Sequence, residues 1–345
     1  MSTWLSDYDY VFPSELIADK PLSARSASRM MLLQGENIEH AYFKNLSSYL
    51  KEGDLLIFNE TKVLPARLKA LRESGGRVEI FLLRDLGMGE WEVLLSPAKR
   101  LKMNESLELY SRFKKDLPPI KVKVSSLETN NFKIKFESLK DQVLALSHFG
   151  EMPLPPYIVR NQPREEDQER YQTLFAKNLG AVAAPTASLH FDESILSDLK
   201  DKKIEEARLT LHVGAGTFAP VKSENIQDHL MHEEYYEIPE ATLAAIEACQ
   251  KRKGRLIAVG TTSLRALEAY AKTGKRQDWT DIFISPGYQF KLVKNLLTNF
   301  HQPKSTLLML VSALVGRENI LAAYQEAIKK KYRLFSYGDC MLILD

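Results

Sequence analysis

Between about Arg67 and Glu151, apolar and polar residues alternate in short runs punctuated by turn residues, and no stretch carries a long helical period. Arg77–Leu83 follows Ser74-Gly75-Gly76, and Glu90–Leu95 follows Gly87-Met88-Gly89. Ile120–Val124 and Phe132–Phe136 alternate strictly about a turn at Glu128–Asn131. Period-two alternation broken by Gly and Asn predicts half-buried antiparallel strands. Five or six of them in succession predict a small closed or nearly closed antiparallel β-barrel. Lys121, Lys123, Lys133 and Lys135 then share its outer face, either as an RNA-facing surface or as a solvated, aggregation-resistant one.

The texture changes after Gly150. Gly180–Ala184, Leu209–Val213, Leu256–Val259, Asp281–Ser285 and Met341–Leu344 read as strands. Between them lie helical stretches: one capped by Asp192, one at Leu264–Lys272, one capped by Ser305 or Thr306, and one from about Arg317 to Lys331. Alternation of strand and helix predicts an α/β architecture with a largely parallel sheet, whose ligands bind beyond the carboxyl ends of the strands. Residues 1–66, with a helical pattern near Tyr42–Leu50 and a strand at Leu55–Phe58, belong with this body. The barrel, residues 67–151, is then an insertion between residues 1–66 and 152–345.

Composition adds little to the fold but narrows the function. The chain has 345 residues and a formal net charge of +2. Its first residues lack the basic, then apolar, pattern of a secretory signal. Leu307–Val315 is too short to span a bilayer. Cys249 and Cys340 form no CxxC pattern, so a reducing, cytoplasmic setting without membrane is expected. Basic residues bunch at Lys99-Arg100-Leu101-Lys102 and at Lys329-Lys330-Lys331. The first run can track phosphates, whereas the second also suits a helix C-terminus.

Five of the seven histidines fall between residues 190 and 301, in loops rich in Gly, Thr or Pro. Their placement predicts one site assembled from strand ends, with imidazoles able to move protons near neutrality. Gly214-Ala215-Gly216-Thr217-Phe218-Ala219 matches GxGxxA, but Pro220 follows and no helix opens there, so a tight turn approached by ligand is the better reading. His229 and His232 stand three apart, a spacing that can hold metal on a helix, yet HExxH is absent and no metal site is assigned. Gly260-Thr261-Thr262-Ser263-Leu264-Arg265 offers hydroxyls and backbone donors at a helix N-terminus, with Arg265 placed to clamp a carboxylate. Asn299, His301, Lys304 and Ser305 precede an apolar helix. Tyr337-Gly338-Asp339 precedes the last strand, and Asp339 can serve as a base or bind an amino group.

Together these segments resemble the S-adenosylmethionine:tRNA ribosyltransferase-isomerase family of queuosine biosynthesis. The resemblance runs along the chain through Lys20-Pro21-Leu22, Gly53-Asp54-Leu55-Leu56, Pro65-Ala66-Arg67-Leu68, Pro97-Ala98-Lys99-Arg100, Leu154-Pro155-Pro156-Tyr157-Ile158, Gly180–Phe191, Thr210–Phe218, Gly260-Thr261-Thr262, Thr298-Asn299-Phe300-His301 and Tyr337-Gly338-Asp339. Three departures stand out. Ser188 occupies a position where the family has Gly, Gln302 one where it has Leu, and Asn59-Glu60-Thr61 replaces Asn-Asp-Thr.

The resemblance implies a three-layer α/β/α body with the inserted small β-barrel. It also implies transfer and isomerisation of the ribosyl group of S-adenosylmethionine onto 7-aminomethyl-7-deazaguanine at a tRNA wobble position. Adenine and methionine leave, and epoxyqueuosine remains in the tRNA. The sulfonium is a substrate and no cofactor is demanded. In this reading His190, His212 and His301 are the proton-transfer candidates, with Glu233 or Asp339 orienting one of them. Arg265 and Lys304 hold the methionine carboxylate or a phosphate. Thr186, Gly214, Gly216, Thr217, Gly260, Thr261, Thr262, Asn299 and Tyr337 complete the substrate pocket. Arg67, Lys99, Arg100 and Lys102 meet the tRNA, and a monomer is expected. Two rivals stay open at this level: a metal-dependent hydrolase built on the histidines, and a non-catalytic tRNA-binding protein.

Overall fold

A computed structural model describes residues 3–345 apart from Arg100, Thr129, Asn130, Ala215 and residues 217–220. The alternating stretch forms a closed six-stranded antiparallel barrel. In chain order its strands are β5 (Arg67–Arg72), β6 (Arg77–Gly87), β7 (Glu90–Ser96), β8 (Ser106–Leu109), β9 (Ile120–Glu128) and β10 (Asn131–Phe136), arranged β10-β7-β6-β5-β8-β9. Every second side chain points inward: Val78, Ile80 and Leu82 on β6, and Ile120, Val122 and Val124 on β9, are buried. Lys121, Lys123 and Lys135 face out. Closure leaves no free sheet edge to aggregate. Helix α1 (Leu139–Leu144) and the turn after it plug one end with Ala145 and Phe149. The chain then returns to its point of departure, where the backbones of Arg67 and Glu151 exchange hydrogen bonds of 3.2 and 2.9 Å.

The body is a nine-stranded sheet in three layers. Its strands are β1 (Arg29–Gln34), β2 (Asn37–Tyr42), β3 (Leu55–Asn59), β12 (Glu205–Leu211), β13 (Glu234–Glu237), β14 (Leu256–Val259), β15 (Gln277–Thr280), β16 (Asn295–Asn299) and β17 (Cys340–Leu344), in the order β15-β13-β12-β3-β14-β16-β17-β1-β2. Two short strands, β4 (Thr61–Val63) and β11 (Asn178–Ala181), pair beside it. Leu55 and Ile57 of β3 pack on one face with α4 (Glu240–Lys251), α5 (Thr261–Thr273), α6 (Thr306–Val315) and α7 (Arg317–Lys329). Leu56 and Phe58 pack on the other with α3 (Glu193–Asp201) and the 3-10 turn Phe43–Ser48. A central strand apolar on both faces is the mark of a sheet covered on both sides, and each such side chain contributes about 1.5–3 kcal/mol. The helix α2 (Glu165–Arg170) lies in the return from the barrel.

Several sequence expectations need correction. The sheet is mixed rather than largely parallel: β12-β3-β14-β16 run parallel, but β17 opposes β16, and β2, β13 and β15 are antiparallel additions. Asp281–Ser285 is not a strand. Ile282 and Ile284 are buried without ladder partners, so packing alone produced the alternation, and the edge strand lies just before it. The helix expected near Tyr42–Leu50 is a 3-10 turn. Caps fell where expected: Asp192 accepts from the Ile195 amide and Ser305 from that of Leu308. Helices α6 and α7 meet at a 113° bend, and among the described residues no single helix is long and apolar enough to cross a membrane.

Candidate active site

Parallel β3, β12, β14 and β16 put their carboxyl ends on one edge of the sheet. Because β17 opposes β16 and β1 runs with β17, the amino ends of β17 and β1 share that edge, with Cys340 registered against both Asn299 and Met30. Asn59, His212, Gly260, Asn299, His301, Asp339 and Ser28 are therefore neighbours in space although scattered in sequence. Two openings lie along this edge.

The first, of about 830 Å³, is lined by Thr186, Gly260, Thr261, Thr262, Arg265, Asn299 and His301, together with Tyr157 and Ser305. Gly260 caps α5 with φ +89° and ψ 150°, a conformation that excludes a side chain in practice, and no side chain caps the helix. The first-turn N–H groups of α5 thus face the opening, as does the Ser305 end of α6. Arg265, 4% exposed, donates through Nη1 to the Glu234 carboxylate. Its Nε and Nη2 are buried with no hydrogen-bond partner among the described residues. Glu234 accepts from the Gly214 amide at 3.0 Å through its other oxygen. Two helix N-termini and a half-satisfied guanidinium lining one opening are chemistry suited to a carboxylate.

Histidine chemistry is divided among three surroundings. His301 lines the first opening; its Nε2 lies 2.9 Å from the Thr298 hydroxyl, and burial pushes its pKa down to about 3. His190 sits behind Asn299, 3.3 Å from the amide oxygen through Nε2 and 2.9 Å from the Ser28 hydroxyl through Nδ1. The Asn299 amide nitrogen donates to the Phe335 carbonyl at 2.9 Å, which turns its oxygen toward His190. His190 Nε2 therefore carries the hydrogen, a tautomer assigned from this network. Burial brings the His190 pKa down to about 4. His212 belongs to the second opening, stacks on Tyr235 at 6.0 Å, and holds the Thr61 hydroxyl at 2.8 Å through Nδ1. Burial lowers its pKa as well. At cellular pH these rings are neutral.

The His212 ring lies flat on Gly180, where an added Cβ would come within 2.8 Å of Cε1, Nδ1 and Nε2. Gly180→Ala is expected to push the imidazole off Thr61 and to lose about 1–3 kcal/mol through overpacking. Denaturant unfolding and the His212 ring NMR signals check this; unchanged stability and ring signals would show that the contact is not formed.

Other sequence-predicted residues are placed differently. Gly214, Gly216 and Glu233 line the second opening. Asp339 is buried and accepts from the Arg29 and Arg333 amides at 2.9 and 2.8 Å, so it braces the chain rather than facing either opening. Lys304 points away, in a 2.7 Å ion pair with Asp9. Tyr337 donates to Asp167 at 2.9 Å in a small crevice shared with His190. Lys99 and Lys102 are exposed on the barrel, and Arg67 lies at its root facing Glu79 at 3.4 Å. Thr217 and Arg100 lie outside the described residues. Ser188 is wholly buried, and its hydroxyl lacks a partner among the described residues.

Sequence reasoning missed Glu234, Ser28 and the bridging role of Asn59. The Asn59 side chain spans from Leu211 to the Thr262 hydroxyl, joining β3, β12 and α5. For Glu234 a signal existed: on β13, Glu234 and Tyr236 alternate inward while Tyr235 and Glu237 turn out.

The family described as "Queuosine biosynthesis protein" matches residues 5–343. An S-adenosylmethionine:tRNA ribosyltransferase-isomerase of Polynucleobacter necessarius subsp. necessarius is 49% identical, over 98% of this chain and 97% of that one. One from Sulfurihydrogenibium sp. is 48% identical over 99% of both. The crystal structure of an S-adenosylmethionine tRNA ribosyltransferase from Thermotoga maritima superposes with a TM-score of 0.55 at 34% identity, covering 98% of this chain and 100% of that one.

Proposed function

The chain belongs to the queuosine biosynthesis protein family, and on that premise we propose that it is an S-adenosylmethionine:tRNA ribosyltransferase-isomerase. Its acceptor is 7-aminomethyl-7-deazaguanine at the wobble position of a tRNA, and its products are epoxyqueuosine-tRNA, adenine and methionine. The observation that carries the reading is a half-satisfied Arg265 guanidinium lining the same opening as two helix N-termini and the neutral His301.

In this reading Arg265 and the first turn of α5 hold the methionine carboxylate, and the ribosyl group lies toward Asn299 and His301. The sulfonium acidifies the neighbouring 5′ carbon, so a neutral imidazole removes a proton there and the sulfur stabilises the carbanion. Adenine leaves as a proton is delivered to the purine. The acceptor amine then attacks the sugar, and a ring oxygen closes the epoxide as methionine departs. His301 and His212 are the proton-transfer groups, one at each opening. His190 acts through Asn299, fixing the direction of its amide.

Incubation with S-adenosylmethionine and tRNA bearing the aminomethyl base is expected to release adenine and methionine in equal amounts, with a mass gain on that nucleoside. Release of adenine without the mass gain, or neither, overturns the proposal. An unchanged rate in His212→Ala removes that residue from the mechanism.

A further inference from the structure

The second opening, about 1970 Å³, lies between barrel and body. His212 and Gly180 line it from the body, and Tyr235 and Trp279 continue that wall outward along the edge of the sheet. Tyr235 stacks on His212 and meets Trp279 edge-on at 5.8 Å. The barrel supplies Trp91 and Arg84, and the Arg84 guanidinium lies 5.0 Å from the centre of the Trp279 ring. Trp279 is 45% exposed, and Leu94 and Leu179 leave about half of their surfaces open on either side. Asp85, Glu92 and Glu233 give the walls carboxylates, so the charge is wrong for a run of phosphates.

Aromatic faces with flanking carboxylates suit a planar base that carries a cation. A primary aminomethyl group is such a cation, since alkylammonium pKa values resemble that of lysine, near 10. The opening also adjoins the first. Val213 lines both, and Glu234 touches Arg265 on one side and the Gly214 amide on the other.

We propose that this opening is the acceptor-base subsite: the unstacked nucleobase lies against Tyr235 and Trp279, and Glu233 binds its ammonium group. His212 takes the proton that must leave the ammonium before the nitrogen lone pair can attack. The proposal rests on the ribosyl-transfer reading above and specifies where that reaction receives its nucleic-acid partner.

The test uses the full chain and an anticodon stem-loop RNA carrying the aminomethyl base. Trp279→Ala is expected to raise the KM for the stem-loop about 10-fold or more, the effect of losing one base–aromatic stack, with the KM for S-adenosylmethionine within 2-fold. Glu233→Gln is expected to do the same for this stem-loop, and to leave binding of one with unmodified guanine unchanged. Trp279→Phe keeps the stack, so its KM stays within about 3-fold, while the fluorescence change on RNA binding loses its larger part. Wild-type turnover with unaltered RNA KM in both Trp279→Ala and Glu233→Gln, or an intact fluorescence change in Trp279→Phe, overturns the subsite. A wild-type chain that releases no adenine overturns the ribosyl-transfer reading instead.

Discussion

Replacing Arg265 by methionine is expected to destabilise the protein by about 3–5 kcal/mol and to abolish turnover of S-adenosylmethionine. The stability loss comes from Glu234, which is 4% exposed and would lose the guanidinium that neutralises it. A buried carboxylate stripped of its counter-ion is far worse than no charge at all. The double variant Glu234→Gln with Arg265→Met is therefore expected to regain most of the stability in urea unfolding. It should not regain turnover, because Arg265 lines the first opening and its two nitrogens without a partner among the described residues are gone. Arg265→Lys keeps the charge but not the planar fork, so its defect should appear chiefly in the KM for S-adenosylmethionine. If Arg265→Met binds S-adenosylmethionine as the wild type does, the carboxylate clamp is wrong.

Acid should weaken the fold through His190 and His301. Both have folded pKa values, about 4 and about 3, below the ordinary histidine value of 6.5. The unfolded chain thus takes up protons below pH 6.5 while the folded chain does not. Stability is complete above that pH and falls as the pH drops toward the folded values. Each ring removes about 1.4 kcal/mol per pH unit, and the pair about 5 kcal/mol by pH 4.5. Asp339 acts in the opposite sense: burial raises its pKa, so it favours the folded state at low pH and that contribution fades as pH rises. The difference between wild type and His301→Gln isolates one ring. Unfolding free energy in the variant should fall less steeply between pH 6 and 4.5, by about 1.4 kcal/mol per pH unit. Parallel profiles for the two proteins would show that the ring is not desolvated as described.

The barrel was legible because one physical cause, a pleated sheet with one wet face, writes itself directly into alternation at positions such as Ile120–Val124. The body was less so. Strand direction is set by how chain returns pack, and nothing local to Met341–Leu344 reveals that it opposes its neighbour. The convergence of loops was visible as a set, since Thr186, Gly260, Thr261, Thr262, Arg265, Asn299 and His301 line one opening. Individual roles were not. Asp339 is indistinguishable from a base until its two amide donors are seen, and Lys304 until Asp9, far away in sequence, is found beside it. Glu234 opens β13 and Glu233 immediately precedes it, and that one position decides whether a carboxylate meets solvent or the arginine.

The exchanged hydrogen bonds between Arg67 and Glu151 mean that the barrel departs from and rejoins the body at a single spot. To the rest of the chain this whole module amounts to one tight bend. Its strands can lengthen or shorten as a cassette without re-registering any strand beneath.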